Sequence, residues 1–82
     1  MNKISSNYLK YYDMEIVKMI NNKYNISYMD SFKKFINSKV YSMLENKELK
    51  MYEYSAIAIF DMWENEIITG TPHNSIYLRS VD

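Results

Sequence analysis

The spacing of apolar side chains near the start of the chain predicts an amphipathic helix over about residues 8–23. Large apolar side chains recur there in steps of three and four, which places them on one stripe of a helix. Asp13, Glu15 and Lys18 lie off this stripe, so we expect them to face water. The stripe itself consists of Leu9, Tyr12, Ile16, Met19, Ile20 and Lys23.

A second helix is predicted to begin at Tyr28, with the Ser27 side chain as its N-cap. Its apolar stripe extends to about residue 45. Asn37 and Ser38 interrupt the stripe and favour caps and turns, so the sequence allows either one long helix or a break at these two residues. The apolar positions are Met29, Phe32, Phe35, Ile36, Val40, Met43 and Leu44.

A last helix is predicted from Ala56 to about Ile67, after Ser55 as the N-cap. Asp61 and Asn65 fall on the face opposite its apolar side, and Gly70 can close the helix in the left-handed conformation. The face predicted to be buried consists of Ala56, Ile59, Phe60, Trp63 and Ile67.

These elements predict one all-α domain over residues 1–82, a compact bundle of three or four short helices. Residues 45–54, ENKELKMYEY, form a predicted polar connection. Residues 68–82 are predicted to form an extended tail, irregular or strand-like, because the helix is closed before it and Pro72 prevents continuation.

Composition narrows the classes of function. Ten basic and ten acidic side chains cancel, which disfavours a general nucleic-acid binder. The absence of cysteine excludes disulfides and thiolate metal sites, and no stretch approaches the roughly 20 apolar residues of a membrane span. We therefore expect a cytoplasmic protein.

Catalytic or metal chemistry has little support. Asp61, Glu64 and Glu66 offer carboxylates, but a helix face supplies too few ligands for a hard cation, and an acidic surface facing water or a partner is the simpler interpretation. His73 is the only histidine, in a turn-like stretch. No phosphate-binding or nucleophile motif occurs, so we expect no enzyme, no metal and no cofactor.

Aromatic and methionine side chains favour protein binding. Trp63 is interpreted as a core anchor, with an interface role as the alternative. Tyr8, Tyr11 and Tyr12 cluster at one end of the first helix. Rigid tyrosines and flexible methionines on a neutral surface suit a protein partner. The residues predicted to contact it are Met51, Tyr52, Tyr54, Met62, Glu64 and His73.

The stretch from Glu15 to Trp63, and within it the segment NISYMDSFKKFINSKVYSMLENKELKMYEYS, resembles a family of small uncharacterised bacterial helical proteins. The resemblance covers over half of the chain and rests on the Tyr54–Ser55 step and on Phe32, Phe35, Ser38, Tyr41 and Leu44. It implies an antitoxin-like accessory protein, since such members are often encoded beside proteins similar to ADP-ribosyltransferase toxins. The family has no established catalytic residues, and the final segment ENEIITGTPHNSIYLRSVD departs from its shorter members.

The function predicted from the sequence is non-enzymatic protein binding, as an antitoxin-like or phage-related inhibitor that occludes a partner. One alternative is a nucleic-acid-binding transcriptional regulator that uses Lys33, Lys34 and Lys39 on the polar side of the second helix. Another is a protein that sequesters a small molecule. Neutral net charge and surplus apolar side chains also predict homo-oligomerisation.

Overall fold

The computed structural model describes the backbone of residues 3–78 and the side chains of residues 8–78. This part of the chain contains four α-helices and no strand. The helices are α1 (Lys3–Tyr24), α2 (Tyr28–Ile36), α3 (Lys39–Glu45) and α4 (Ala56–Thr69). Short 3-10 helices span Lys47–Leu49, Met51–Glu53 and Pro72–Asn74. The predicted all-α class is confirmed.

Side-chain caps set the starts of α2 and α4 where the sequence placed them, whereas α1 begins at Lys3 and not at about residue 8. Ser27 Oγ accepts a hydrogen bond from the Asp30 amide at 3.1 Å, and Ser55 Oγ accepts one from the Ala58 amide at 3.2 Å. Gly70 closes α4 at φ 91°, a left-handed conformation that favours glycine. These boundaries follow from local chemistry alone.

The second predicted helix is broken at Asn37 and Ser38, so one of the two alternatives is settled. Ser38 turns out to be the N-cap of α3, because its Oγ accepts a hydrogen bond from the Tyr41 amide at 3.1 Å. The break lets α2 pack against α1 while α3 packs against α4.

One hydrophobic core joins the four helices. Trp63 is only 3% exposed, which confirms it as a core residue. Ile67 is 58% exposed, so its predicted burial is wrong. The buried arc of α4 is shifted because α1, α3 and the Pro72–Asn74 helix all pack against it. The largest buried apolar side chains are Tyr12, Ile16, Ile20, Phe35, Leu44, Met51, Ile59, Met62 and Trp63.

Residues 70–78 fold back along α4 in an irregular path. Ser75 is buried, and its Oγ donates a hydrogen bond of 2.5 Å to Oδ2 of Asp61. Asp61 is therefore half-buried beneath this segment, and the prediction that it faces water is wrong. The tail begins after Thr69, not at residue 68, and the described part of it is not strand-like. Residues 79–82 of the predicted tail lie outside the described residues.

None of the described helices combines the length and apolar character that crossing a membrane requires.

Candidate functional site

Glu64, predicted to contact a partner, is engaged within the chain. Its Oε2 lies 2.7 Å from Nζ of Lys23 and accepts a hydrogen bond from the Tyr24 hydroxyl, and 16% of its side chain is exposed. The hydrogen bond to Glu64 raises the pKa of Lys23, and it also raises the pKa of Tyr24. This trio ties the end of α1 to α4.

Glu66 caps another helix of the same chain. Its Oε2 accepts a hydrogen bond from the Lys39 amide at 2.8 Å, and its Oε1 accepts one from the Val40 amide at 3.0 Å. A carboxylate at the first amides of a helix satisfies donors that the helix itself leaves free. Glu66 therefore fixes α3 against α4.

The acidic stretch of α4 is thus not a shared site. Asp61, Glu64 and Glu66 bind the C-terminal segment, α1 and α3 respectively. Among the described residues, no group of three or more histidine and carboxylate side chains is arranged to hold a metal ion. Each carboxylate serves the packing of α4 against a different neighbour.

Two of the predicted contact residues are not accessible to a partner. Met62 is fully buried and Met51 is 2% exposed, which corrects the prediction that they lie on the surface. Met62 is buried because α4 is packed by α1, α3 and the Pro72–Asn74 helix. Met51 belongs to the connection predicted to be polar, but its 3-10 helix turns the side chain into the core.

The other predicted contact residues do reach the surface. Tyr52 is exposed and Tyr54 is half-buried. His73 is exposed in the Pro72–Asn74 helix, where its Nδ1 lies 3.2 Å from Oγ1 of Thr71. Of these residues, the structure brings Tyr52 and Tyr54 together with other tyrosines.

The tyrosine surface is a group of six tyrosines from α1, the connection and the C-terminal segment, linked by ring contacts or by hydrogen bonds from a hydroxyl to a backbone carbonyl. The rings of Tyr8 and Tyr52 lie 5.4 Å apart, and those of Tyr11 and Tyr12 lie 5.2 Å apart. Exposed fractions of 51% for Tyr11, 44% for Tyr52 and 42% for Tyr77 leave these three rings open to a partner. The six members are Tyr8, Tyr11, Tyr12, Tyr52, Tyr54 and Tyr77.

The hydroxyl groups of the inner tyrosines of this surface donate hydrogen bonds to backbone carbonyls. Tyr8 donates to the Leu44 carbonyl at 2.5 Å, and Tyr12 donates to the Tyr54 carbonyl. Tyr54 in turn donates to the carbonyl of Tyr77 at 3.4 Å. Burial raises the pKa of Tyr8 and of Tyr12, so both hydroxyls stay protonated and keep donating at neutral pH. Hydrogen bonds to the backbone therefore fix the positions of the inner tyrosines beside the exposed ones.

A second exposed surface is the α1–α2 groove, a concave apolar region of about 430 Å³. Met14 and Met29 project beside it with 59% and 61% of their surface exposed. Sequence periodicity had predicted Met29 and Phe32 on a buried stripe, but Met29 is exposed and Phe32 is 37% exposed, because Ser31 and Phe35 take the core-facing side of α2. The lining residues are Asp13, Met14, Val17, Tyr28, Met29 and Phe32.

Asp13 is the only charged residue among those that line the groove. Its Oδ1 is buried and has no hydrogen-bond partner among the described residues. Burial raises the pKa of Asp13, the nearby Tyr41 hydroxyl partly lowers it, and Glu45 raises it further. Burial and the charge of Asp13 in turn raise the pKa of Tyr41 to about 12. The prediction that Asp13 faces water is therefore wrong.

Asp13→Asn is expected to stabilise the protein at neutral pH. Because the folded-state pKa of Asp13 is raised, ionisation lowers stability as the pH rises from the usual value of 3.8 through the folded-state pKa. We expect a gain of about 0.5 kcal/mol, small because solvent screens this site, or about 2–4 °C in Tm at pH 7. Thermal melts at low micromolar concentration from pH 3 to 7 measure it. At pH 3, where Asp13 is largely protonated, the Tm of the variant should approach that of the native protein. The control Glu48→Gln should match the native protein at pH 7. A lower Tm of Asp13→Asn than of the native protein at pH 7 would contradict the prediction.

A smaller cavity of about 340 Å³ lies beside Trp63, which is the other side chain with an unpartnered buried atom. Its Nε1 has no acceptor among the described residues. The ring lies between Tyr24 and Phe60, with centroid distances of 6.0 Å to each. The cavity is lined by Tyr24, Ile26, Lys34, Trp63 and Ile67.

The three lysines considered for nucleic-acid binding do not share one helix. Lys33 and Lys34 lie in α2, but Lys39 begins α3, and its Nζ donates to the Gly70 carbonyl at 3.1 Å. The prediction that they share the polar side of one helix is therefore wrong, because that helix ends at Ile36.

The fold and these surfaces define a small all-α protein with two exposed apolar regions, the tyrosine surface and the α1–α2 groove. Such regions on a small domain are typical of contact surfaces. Comparisons of this chain with protein-family models, with curated proteins and with solved structures found no match.

Proposed function

We propose that this chain is a non-enzymatic protein-binding module whose partner contacts the tyrosine surface. The observation that carries the proposal is the set of exposed side chains of Tyr11, Tyr52 and Tyr77. The rings of Tyr11 and Tyr52 contact inner tyrosines, and the backbone carbonyl of Tyr77 accepts a hydrogen bond from Tyr54. Tyrosine contributes a large contact area at low cost in conformational entropy, and it is enriched among the residues that dominate binding energy. Rings that are already fixed in the free protein lose less conformational entropy on binding.

The mode of action we propose is occlusion of a partner's active site in the cytoplasm, in the manner of an antitoxin. Support comes from the resemblance of residues 15–63 to antitoxin-like proteins and from the small size and neutral charge of the chain. An inhibitor of this kind needs a rigid contact surface and no reactive groups of its own, and the tyrosine surface meets the first requirement.

Capture from a lysate of the native host tests the proposal. The native chain is expected to retain one specific protein, and the triple variant Tyr11→Ser, Tyr52→Ser, Tyr77→Ser should lose it. These three side chains are partly exposed, so the variant should still fold. The matched control is Ile57→Ser with Ile68→Ser, which removes exposed apolar side chains of α4 and should retain the partner. Equal capture by the triple variant would contradict the proposal.

A further inference from the structure

The cavity beside Trp63, the Trp63 cavity, is lined by residues from the end of α1, the α1–α2 connection, α2 and α4. Trp63 is 3% exposed and lies at its base, whereas Ile67, one turn later on α4, is 58% exposed and lies at its edge. Small-molecule sites are mostly apolar with few polar groups, and the volume of about 340 Å³ falls at the lower end of their range. The Trp63 cavity therefore has the size of a site for a small ligand.

Among the side chains that line this cavity, only Lys34 has a polar group left for a ligand. The hydroxyl of Tyr24 donates a hydrogen bond to Glu64, and Nε1 of Trp63 is buried out of reach of another molecule. Lys34 is exposed and forms no ion pair with another described residue. A ligand that fits this lining has one polar head for Lys34 and an otherwise apolar body.

The charge of the lining favours an anion. Lys34 is the only charged residue among those that line the cavity, and Asp30, one turn before it on α2, is not paired with it. Glu64, which accepts the hydrogen bond from Tyr24, is neutralised by Lys23 at 2.7 Å. An amine would be repelled by Lys34, and an inorganic anion would leave the apolar walls without a contact.

We propose that the Trp63 cavity binds a small apolar monocarboxylate. Its carboxylate pairs with Nζ of Lys34, a charge-assisted contact at the exposed edge of the cavity. At roughly 30 Å³ for each non-hydrogen atom, as for water in the liquid, the cavity holds about ten of them. Octanoate has this size, one negative charge and an apolar chain. The side chains that contact the chain of the ligand are Tyr24, Ile26, Trp63 and Ile67.

The ligand site does not depend on the proposed function. It shares no residue with the tyrosine surface, where the partner protein is placed, and ligand binding is measured with the purified chain alone. Failure of either result leaves the other intact.

Fluorescence titration of the full chain with octanoate tests the site, because Trp63 is the only tryptophan and lines the cavity. Emission excited where tyrosine does not absorb should change saturably, with a Kd of about 0.1–1 mM. Octylamine, of the same chain length but opposite charge, should bind at least about tenfold more weakly. No saturable change up to about 10 mM octanoate, or an equal Kd for octanoate and octylamine, would overturn the proposal.

Variants of the lining locate the ligand. Lys34→Gln should weaken octanoate binding by about three- to tenfold, whereas Lys33→Gln, an exposed lysine outside the lining, should leave it unchanged. Ile67→Glu places a carboxylate at the cavity edge and should weaken binding by about tenfold or more. Ile67 is 58% exposed, so this variant should fold, which circular dichroism verifies, and the control Ile68→Glu, at a position 77% exposed, should bind as the native chain does.

Two results with these variants would contradict the assignment. An equal Kd of octanoate for the two lysine variants, or a native Kd for Ile67→Glu, would overturn the site. Loss of octanoate binding in Met29→Glu would place the ligand in the α1–α2 groove and overturn it as well.

Discussion

Trp63→Ala is expected to be the most damaging single substitution, lowering the free energy of unfolding by about 3–5 kcal/mol. Trp63 is 3% exposed and packs between Tyr24 and Phe60, so alanine would leave a large cavity between α1 and α4. Stabilities of natural domains are only about 5–15 kcal/mol, so this loss takes a large share of the total. Urea unfolding followed by far-ultraviolet circular dichroism measures it.

Trp63→Phe separates the packing of the ring from its N–H group. Nε1 has no acceptor among the described residues, so phenylalanine removes no hydrogen bond and should cost only about 1 kcal/mol for the lost volume. Ile57→Ala, at an exposed position of the same helix, should stay within about 0.5 kcal/mol of the native protein. A cost below about 1 kcal/mol for Trp63→Ala would contradict the buried position of the indole.

Glu66→Ala is expected to lower the free energy of unfolding by about 1.5–3 kcal/mol, because two backbone amides of α3 lose a charged acceptor. The amides are those of Lys39 and Val40, at 2.8 Å and 3.0 Å from the carboxylate oxygens. Glu66→Gln keeps one acceptor oxygen and should cost about half as much. Glu48→Ala, an exposed glutamate in a 3-10 helix, is the matched control and should have little effect.

Amide hydrogen exchange locates the effect of Glu66. In Glu66→Ala the Val40 amide should exchange faster, whereas the Ala58 amide, capped by Ser55 in α4, should keep its protection. Unchanged exchange at Val40 would show that the carboxylate does not hold the start of α3.

Local features of the fold were predictable from the sequence because their causes are local. Ser27 and Ser55 cap the helices that follow them, and Gly70 closes α4 in the left-handed conformation. The sequence did not decide whether the helix breaks at Asn37 and Ser38, since a continuous helix and a capped break both satisfy nearby backbone groups. Glu66, 26 residues after Val40, holds the start of α3, and no pattern in residues 28–45 indicates it.

The surfaces were only partly predictable, because they depend on contacts distant in sequence. Tyr52 and Tyr54 were predicted to contact a partner, and the structure shows Tyr52 exposed and Tyr54 half-buried, whereas Met62 is buried by packing from three sides. The α1–α2 groove depends on how the two helices cross, so periodicity assigned Met29 to a buried stripe. An unpartnered buried oxygen on Asp13 has no sequence signal at all.

The affinity of the captured partner for the tyrosine-surface triple variant tests the central claim most directly. Calorimetric titration of the purified pair should give a Kd at least about 100-fold weaker than that of the native chain, because three exposed rings are removed from the contact. The circular dichroism spectrum of the variant should be unchanged, and the control with Ile57→Ser and Ile68→Ser should bind as the native chain does. A Kd for the triple variant equal to the native value would contradict the claim that this chain binds its partner through the tyrosine surface.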